Sequence, residues 1–392
     1  MCGQSLHLGH RSVTLLTYIH IDVKSSTVLL LIPHLGGGGA ERVTELLARN
    51  LPTEKHEIHL CLVTQAVGDF ASLPKFVIVH ALGARRVRYS ALRLMLLIWH
   101  LRPEVIFSGI AHLNLLVLLL RPFLPRKTRI IVRQNGPVSA TLAAPGSSEV
   151  MRAVRCFLYR SADGVICQSR SMAQEVSEFT GIPLDSLAVL PNPIDVEGIR
   201  SASDHCAEGW NGPGPHLLAV GRLSREKGFD LLLRTFATVK LRFPTADLAI
   251  AGEGPEKAAL ERLREMLGLN RAVRFLGLVG TPAIHFPGAA LIVASSRSEG
   301  MPNALLEAAA GGLPIVSLPA SEGLVELLMG QPGVWLAREI SADALAESLL
   351  AALGALCPGE RFPHPWIDQF RLERAIPAYE RLFEVRSRMR PA

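Results

Sequence analysis

The sequence predicts two doubly wound α/β domains that face one another across a cleft. Three observations carry this expectation. The chain has 392 residues, more than a single hydrophobic core ordinarily serves. Short β-branched runs alternate with longer helical stretches along most of its length, the pattern of parallel sheets covered on both faces. The alternation breaks once, at "SASDHCAEGWNGPGP" (201–215), which is rich in small, polar and turn residues and reads as an interdomain linker.

The elements follow in order. Residues 1–26 read as a tail; they lack a long apolar centre and a clear cleavage site, so no signal peptide is expected. The first domain is expected over 27–200. "TVLLLIP" (27–33) reads as a buried strand, and "GGGGAERVTELLARNL" as a glycine loop and helix. "EIHLCLVT", "FVIVHAL", "EVIFSGI", "RIIVRQN" and "GVICQSR" read as further strands, while "LNLLVLLL" (113–120) fits either a buried strand or a helix. The rhythm restarts at "HLLAVGR" (216–222) and runs through "ADLAIAGEG", "VRFLGLV", "ALIVASS" and "LPIVSLP", giving a second domain over 216–364 and a closing segment over 365–392. No run of about 18 uncharged apolar residues occurs, so no membrane-spanning helix is expected.

Composition narrows the function. The six cysteines show no paired spacing, which argues against a disulfide framework or a zinc module and for a reducing, cytoplasmic setting. The net charge of +6 fits nucleic acid, an anionic membrane or an anionic substrate. Nucleic acid is disfavoured, because aromatic residues are only 6% and do not interleave with the basic ones. "ARRVRYSALRLMLLIWHLRP" (84–103) sets Arg85, Arg86, Arg88 and Arg93 beside an apolar helix. It reads either as a surface for peripheral membrane contact or as a core helix with a basic end.

Four motifs carry candidate chemistry. Gly36 to Gly39 join a strand to a helix; glycine allows close backbone approach and the helix start offers free N–H groups, or the run is simply a tight turn. It is not a P-loop. In "VGRLSREKGFD" (220–230), Arg222, Arg225 and Lys227 lie between a strand end and a helix starting near Phe229, which suits a diphosphate or a solvated loop with ion pairs, for example to Glu226. "AIAGEGPEKAALERL" (249–263) resembles a dinucleotide fingerprint but lacks the third glycine and carries Glu253, so it reads as a structural turn lining the cleft. Finally, "SEGMPNALLEAAAGGLPIVS" (298–317) places Pro302 as a helix start and Gly311 and Gly312 as a stop, predicting a short helix over 303–310. Glu307 sits inside this otherwise apolar helix. A buried carboxylate needs donors, and a ribose diol supplies two; the alternative is a helix-edge surface position.

Taken together, "GGAER", "ADGVICQSRSMAQEV", "LPNPID", "GRLSREKGFDLLLRTF", "GEGP" and "EGMPNALLEAAAGGLPIVS" resemble, in order and spacing, the retaining glycosyltransferases of family 4. The resemblance covers nearly the whole chain after the tail. It implies the GT-B fold, two Rossmann-like domains with a C-terminal helix, here within 365–388, returning to the first domain. It also implies that Arg222 and Lys227 hold the donor diphosphate, with Gly300, Pro302 and Asn303 at the helix start beside it. Glu307 is then the ribose ligand, Glu299 contacts the transferred sugar, and Gly38 and Gly39 approach the donor. His112 matches a catalytic-side histidine, with a packed or surface histidine as the alternative; Asn135 is a further cleft candidate, and Asn192 sits where the family turns into the linker. "PASEGLVELL" departs from the family's usual glycine pair.

The resemblance implies transfer of a hexose or N-acetylhexosamine from a nucleotide sugar, with UDP favoured, to a lipid-linked or glycan acceptor. No cofactor is expected, the nucleotide sugar being a co-substrate. No metal is expected either, since no Asp-x-Asp occurs anywhere in the chain. A nucleotide-sugar epimerase and a non-catalytic nucleotide-sugar binding module remain as alternatives.

Overall fold

The structure is a computed structural model and describes residues 26–35, 38–64, 73–142, 148–203, 210 and 212–384. Its first half is a seven-stranded parallel sheet, in the spatial order β3-β2-β1-β4-β5-β6-β7. The strands are β1 (Ser26–Ile32), β2 (His56–Thr64), β3 (Ile78–Ala84), β4 (Val105–Ser108), β5 (Arg129–Arg133), β6 (Gly164–Cys167) and β7 (Leu187–Val189). The second half is a six-stranded parallel sheet, in the order β10-β9-β8-β11-β12-β13. Its strands are β8 (His216–Val220), β9 (Asp247–Ala251), β10 (Val273–Gly277), β11 (Leu291–Ala294), β12 (Ile315–Ser317) and β13 (Val334–Leu336). Both orders reverse beside the first strand of the domain, and such switch points open crevices at the carboxyl ends of strands.

Thirteen α-helices connect or cover the strands among the described residues. In the first half they are α1 (Gly39–Asn50), α2 (Ala91–Leu101), α3 (Ala111–Leu120), α4 (Val138–Thr141), α5 (Glu149–Arg160), α6 (Arg170–Thr180) and α7 (Val196–Ser203). The second half has α8 (Phe229–Arg242), α9 (Lys257–Met266), α10 (Asn303–Ala310), α11 (Glu322–Leu328), α12 (Ala342–Ala355) and α13 (Leu372–Glu384). The "LNLLVLLL" run is therefore helical, in α3.

Period-two alternation puts each sheet between two cores. Along β1, Leu29 and Leu31 join one buried cluster, while Val28, Leu30 and Ile32 join the opposite one. In the second domain Leu217 and Ala219 face one cluster and Leu218 the other.

The chain changes domain earlier than its composition suggests. Val196 and Ile199 on α7 are buried with Leu305, Phe286 and Phe370 in a core of the second domain, although 27–200 was expected to belong to the first. The apolar face of α7, not the polar stretch after it, decides where the segment packs. The return crossing follows Phe370: α13 buries Ile376, Tyr379 and Phe383 under β1 and β4, with Phe107 edge-on to Tyr379 at 6.1 Å between centroids. The two crossings run side by side. Ile194 N–H donates to Phe370 O at 2.7 Å, and Ile194 and Arg371 form a parallel bridge.

Candidate active site

A cavity of about 490 Å³ lies between the two sheets. Gly38, Gly39, Arg222, Lys227, Glu299, Pro302, Asn303 and Glu307 all line it, together with Asn135 and Asn192. Loop glycines shape its second-domain wall. A Cβ on Gly252 would stand 1.9 Å from Gly221 O, and one on Gly254 2.3 Å from Leu223 O. The "GEGP" turn therefore needs glycine to pack backbone against backbone, and its Glu253 pairs with Lys257 at 2.7 Å.

Lys227 ends a short 3₁₀ turn before α8, and Gly228 caps that turn in the left-handed region, φ +64°. A Cβ there would stand 2.0 Å from Ser295 O, so only glycine lets the turn lie against the end of β11. Ser295 Oγ donates to Lys227 O at 2.9 Å. The Lys227 ammonium donates to Glu299 Oε1, and Ser296 Oγ donates to the same oxygen at 2.7 Å. Sequence reasoning gave Lys227 and Glu299 separate roles; the structure joins them in one ion pair. Arg222 is exposed at the cavity rim, and among the described residues neither it nor Lys227 pairs with Glu226, whose carboxylate accepts from Ser224 Oγ at 2.5 Å.

Helix α10 begins after Pro302, in the extended region, and points its N-terminal amides at the cavity. The Glu307 carboxylate accepts no hydrogen bond among the described residues. Burial pushes its carboxyl pKa above the ordinary value, partly opposed by the Arg42 guanidinium of α1. The cavity is thus lined by three cations, Arg42, Arg222 and Lys227, by one helix start, and by Glu307, a carboxylate with acceptor capacity to spare.

The first-domain wall is different. Arg133, at the carboxyl end of β5, is only 1% exposed. Its two terminal nitrogens donate to Asn135 Oδ1 and Asn192 Oδ1. Asn192 Nδ2 donates in turn to Asn303 Oδ1 at 2.5 Å, and Asn303 Nδ2 to Gly39 O at 2.8 Å. A guanidinium can only donate. It therefore fixes the carbonyl end of both amides inward and turns their NH₂ ends outward, so this wall offers donors. Arg133 and Gln168, which also lines the cavity, escaped the sequence reading; the available signal for Arg133 was a buried-strand run, "IIV", that closes on an arginine.

Two expected site residues lie elsewhere. His112 was expected beside the reacting sugar, but it is exposed and does not line the cavity. Helical periodicity explains this: Leu113, Asn114, Val117 and Leu118 form the buried face of α3, and His112 shares the other face with exposed Leu119. Gly300 does not line the cavity either. A Cβ there would meet Asn135 O and Gln168 Oε1 at 2.4 Å, so Gly300 is where the second domain touches the first.

Two facing doubly wound sheets with a shared polar cleft define the GT-B class. The sequence matches the family described as Glycosyltransferase Family 4 over residues 37–197 and that described as Glycosyl transferases group 1 over 214–354. The chain belongs to this glycosyltransferase family. It is 27% identical over 309 residues to the N-acetylgalactosamine-N,N'-diacetylbacillosaminyl-diphospho-undecaprenol 4-alpha-N-acetylgalactosaminyltransferase of Campylobacter jejuni, covering 76% of this chain and 82% of that one. It is 28% identical to the lipopolysaccharide core biosynthesis glycosyltransferase LpsE of Rhizobium meliloti, over 52% of this chain and 62% of that one. Matches to uncharacterised glycosyltransferases of Haemophilus influenzae and Methanocaldococcus jannaschii span only 38% and 49% of those proteins. Among solved structures, HepE of Anabaena with UDP and glucose superposes with a TM-score of 0.75 at 17% identity, over 91% of this chain and 99% of that one. The lipopolysaccharide outer core galactosyltransferase WaaB superposes at 0.62 with 16% identity, over 90% and 98%.

Proposed function

We propose that the chain transfers a hexose or N-acetylhexosamine from a UDP-sugar to a lipid-linked or polysaccharide acceptor, with retention of configuration and without a metal, in cell-envelope glycan synthesis. The observation that carries this is the meeting of Lys227, Arg222 and the α10 N-terminus with the unpartnered Glu307 in one cavity. The cations and amides suit the negative charge that grows on a leaving diphosphate. The Glu307 carboxylate suits two ribose hydroxyls. Lys227 exchanges its bond to Glu299 for the phosphates, freeing Glu299 for the sugar. The sugar–phosphate bond then breaks, the acceptor oxygen bonds to the same face, and the acceptor proton passes to the departing phosphate. HepE, solved with UDP-glucose, supports the choice of nucleotide.

The acceptor side is proposed to meet an anionic bilayer. On α2, Leu94 and Ile98 are buried, whereas Leu92, Leu96 and Trp99 are 62%, 60% and 47% exposed. Exposed Arg85, Arg86, Arg88 and Arg93 lie beside them, which supports contact with acidic headgroups. Among the described residues no helix is long and apolar enough to cross a membrane. The cytoplasmic face is the proposed location.

Radiolabelled UDP-sugars with and without extracts of undecaprenyl-linked glycans test the reaction. Label in a new glycan, abolished by Glu299→Gln while UDP still binds, is the expected result. An epimerised UDP-sugar, or binding with neither transfer nor hydrolysis, overturns it.

A further inference from the structure

The seam between α13 and the first sheet holds a group of side chains that glycosyl transfer does not use. His56 opens β2, and Glu380 and Glu384 stand one turn apart on α13. One ring nitrogen of His56 and one oxygen from each carboxylate all lie within 4.8 Å of one another, the only such trio among the described residues. His56 is 3% exposed. Its Nδ1 is 2.6 Å from Ser26 Oγ, while its Nε2 is buried with no partner.

The geometry points to a divalent transition-metal site, taken here as zinc, formed by His56, Glu380 and Glu384. An imidazole nitrogen and two carboxylate oxygens make a mixed set that zinc accepts and that magnesium and calcium, which prefer oxygen alone, do not. Ser26 supplies the outer support: with Nδ1–H donating to its hydroxyl, the ring is held and the Nε2 lone pair is free. The trio is wider than a bound site, since tetrahedral zinc with ligands at ~2.1 Å brings ligand atoms to about 3.4 Å apart. Exposed Glu384 is free to supply that contraction.

A competitor is built in. The Lys55 ammonium donates to Glu380 Oε1 at 2.6 Å and Glu384 Oε1 at 3.2 Å. It neutralises the carboxylates but leaves the imidazole unanswered. Lys55 is about half exposed on a long side chain, so a metal displaces it into solvent. Zinc would tie the last helix to the first two strands and stabilise the folded chain by mass action.

The test is calorimetric titration of the tag-free full chain with zinc chloride, alongside melting curves. Wild type should bind one zinc and melt higher. Glu384→Gln, a change at an exposed position, should weaken binding more than about tenfold, since loss of even an outer-shell partner costs that much. Lys55→Met should tighten it. Absence of saturable binding overturns the proposal. So does one zinc bound equally well by wild type and Glu384→Gln, which would assign it to the thiols or another histidine.

Discussion

The two walls of the cavity solve different problems with different chemistry. The second-domain wall carries Lys227 and Arg222 as cations, Glu299 and Glu307 as anions, and a helix start, all on elements close together in sequence. The first-domain wall near the contact is a fixed array of amides, Asn135 and Asn192, held by a fully buried arginine with no carboxylate partner among the described residues. On the proposed function, one wall exchanges the Lys227–Glu299 pair for an anion, while the amides of the other are already held by Arg133.

The comparison breaks most directly at Lys227. Lys227→Ala and Arg222→Ala should each lower kcat by at least about tenfold, approaching the loss of ~2.7–4 kcal/mol seen when one transition-state donor is removed. Unchanged kcat in both variants would make these residues ordinary surface cations. On the other wall, Arg133→Met should raise the acceptor KM about fivefold, ~1 kcal/mol for a misplaced hydrogen bond, because both amides become free to flip. UDP affinity, measured by calorimetry, should stay within about twofold. If UDP binding falls as far as acceptor use, the two walls do not act separately.

Glu307 sharpens the contrast through pH. Its carboxyl titrates above the usual carboxylate range because it is buried. Hydroxyl donors need the ionised form, so UDP affinity should rise as pH increases through that raised pKa. The opposite sign applies to folding without ligand: burial disfavours the charged form, so the stability Glu307 contributes is present at low pH and is lost as pH rises through the folded value. The UDP profile of Glu307→Gln, subtracted from wild type, removes titration of the nucleotide's own phosphates. Identical profiles would end the ribose assignment. The smallest effect is expected from chelation: excess EDTA should leave transfer within about twofold, since Arg222, Lys227 and a helix start already supply positive charge where a dication would sit. Loss of activity restored by magnesium or manganese would reassign the diphosphate site.

The second-domain wall was legible in the sequence because its signals are local. Pro302 and the Gly311–Gly312 pair marked the ends of α10, and the helix start read near Phe229 is that of α8. The parallel sheets were legible through their apolar runs, but β7 and β13, three residues each, were too short to show alternation. Arg133, Asn192 and Asn303 meet across 59 and 111 residues, a distance that no spacing rule reaches. His112 misled because strand-then-histidine says which loop a residue occupies, not which face of the following helix it takes.

The paired crossings at Ile194 and Arg371 give the molecule one joint. Crossings set far apart would brace the domains like two bolts through a plate. Adjacent ones leave a swing about a single axis, with Arg371 bound to Glu197 at 2.8 Å as a latch across it. A swing must break the Asn192–Asn303–Gly39 chain, the seat of Gly300 and the close packing of Gly323 on α11 against Ser169 and Ser171 at the start of α6. The two hydrogen bonds contribute about 0.5–1.5 kcal/mol each. On the proposed function, a spent nucleotide would leave by a rotation of whole domains about that axis, with neither core disturbed.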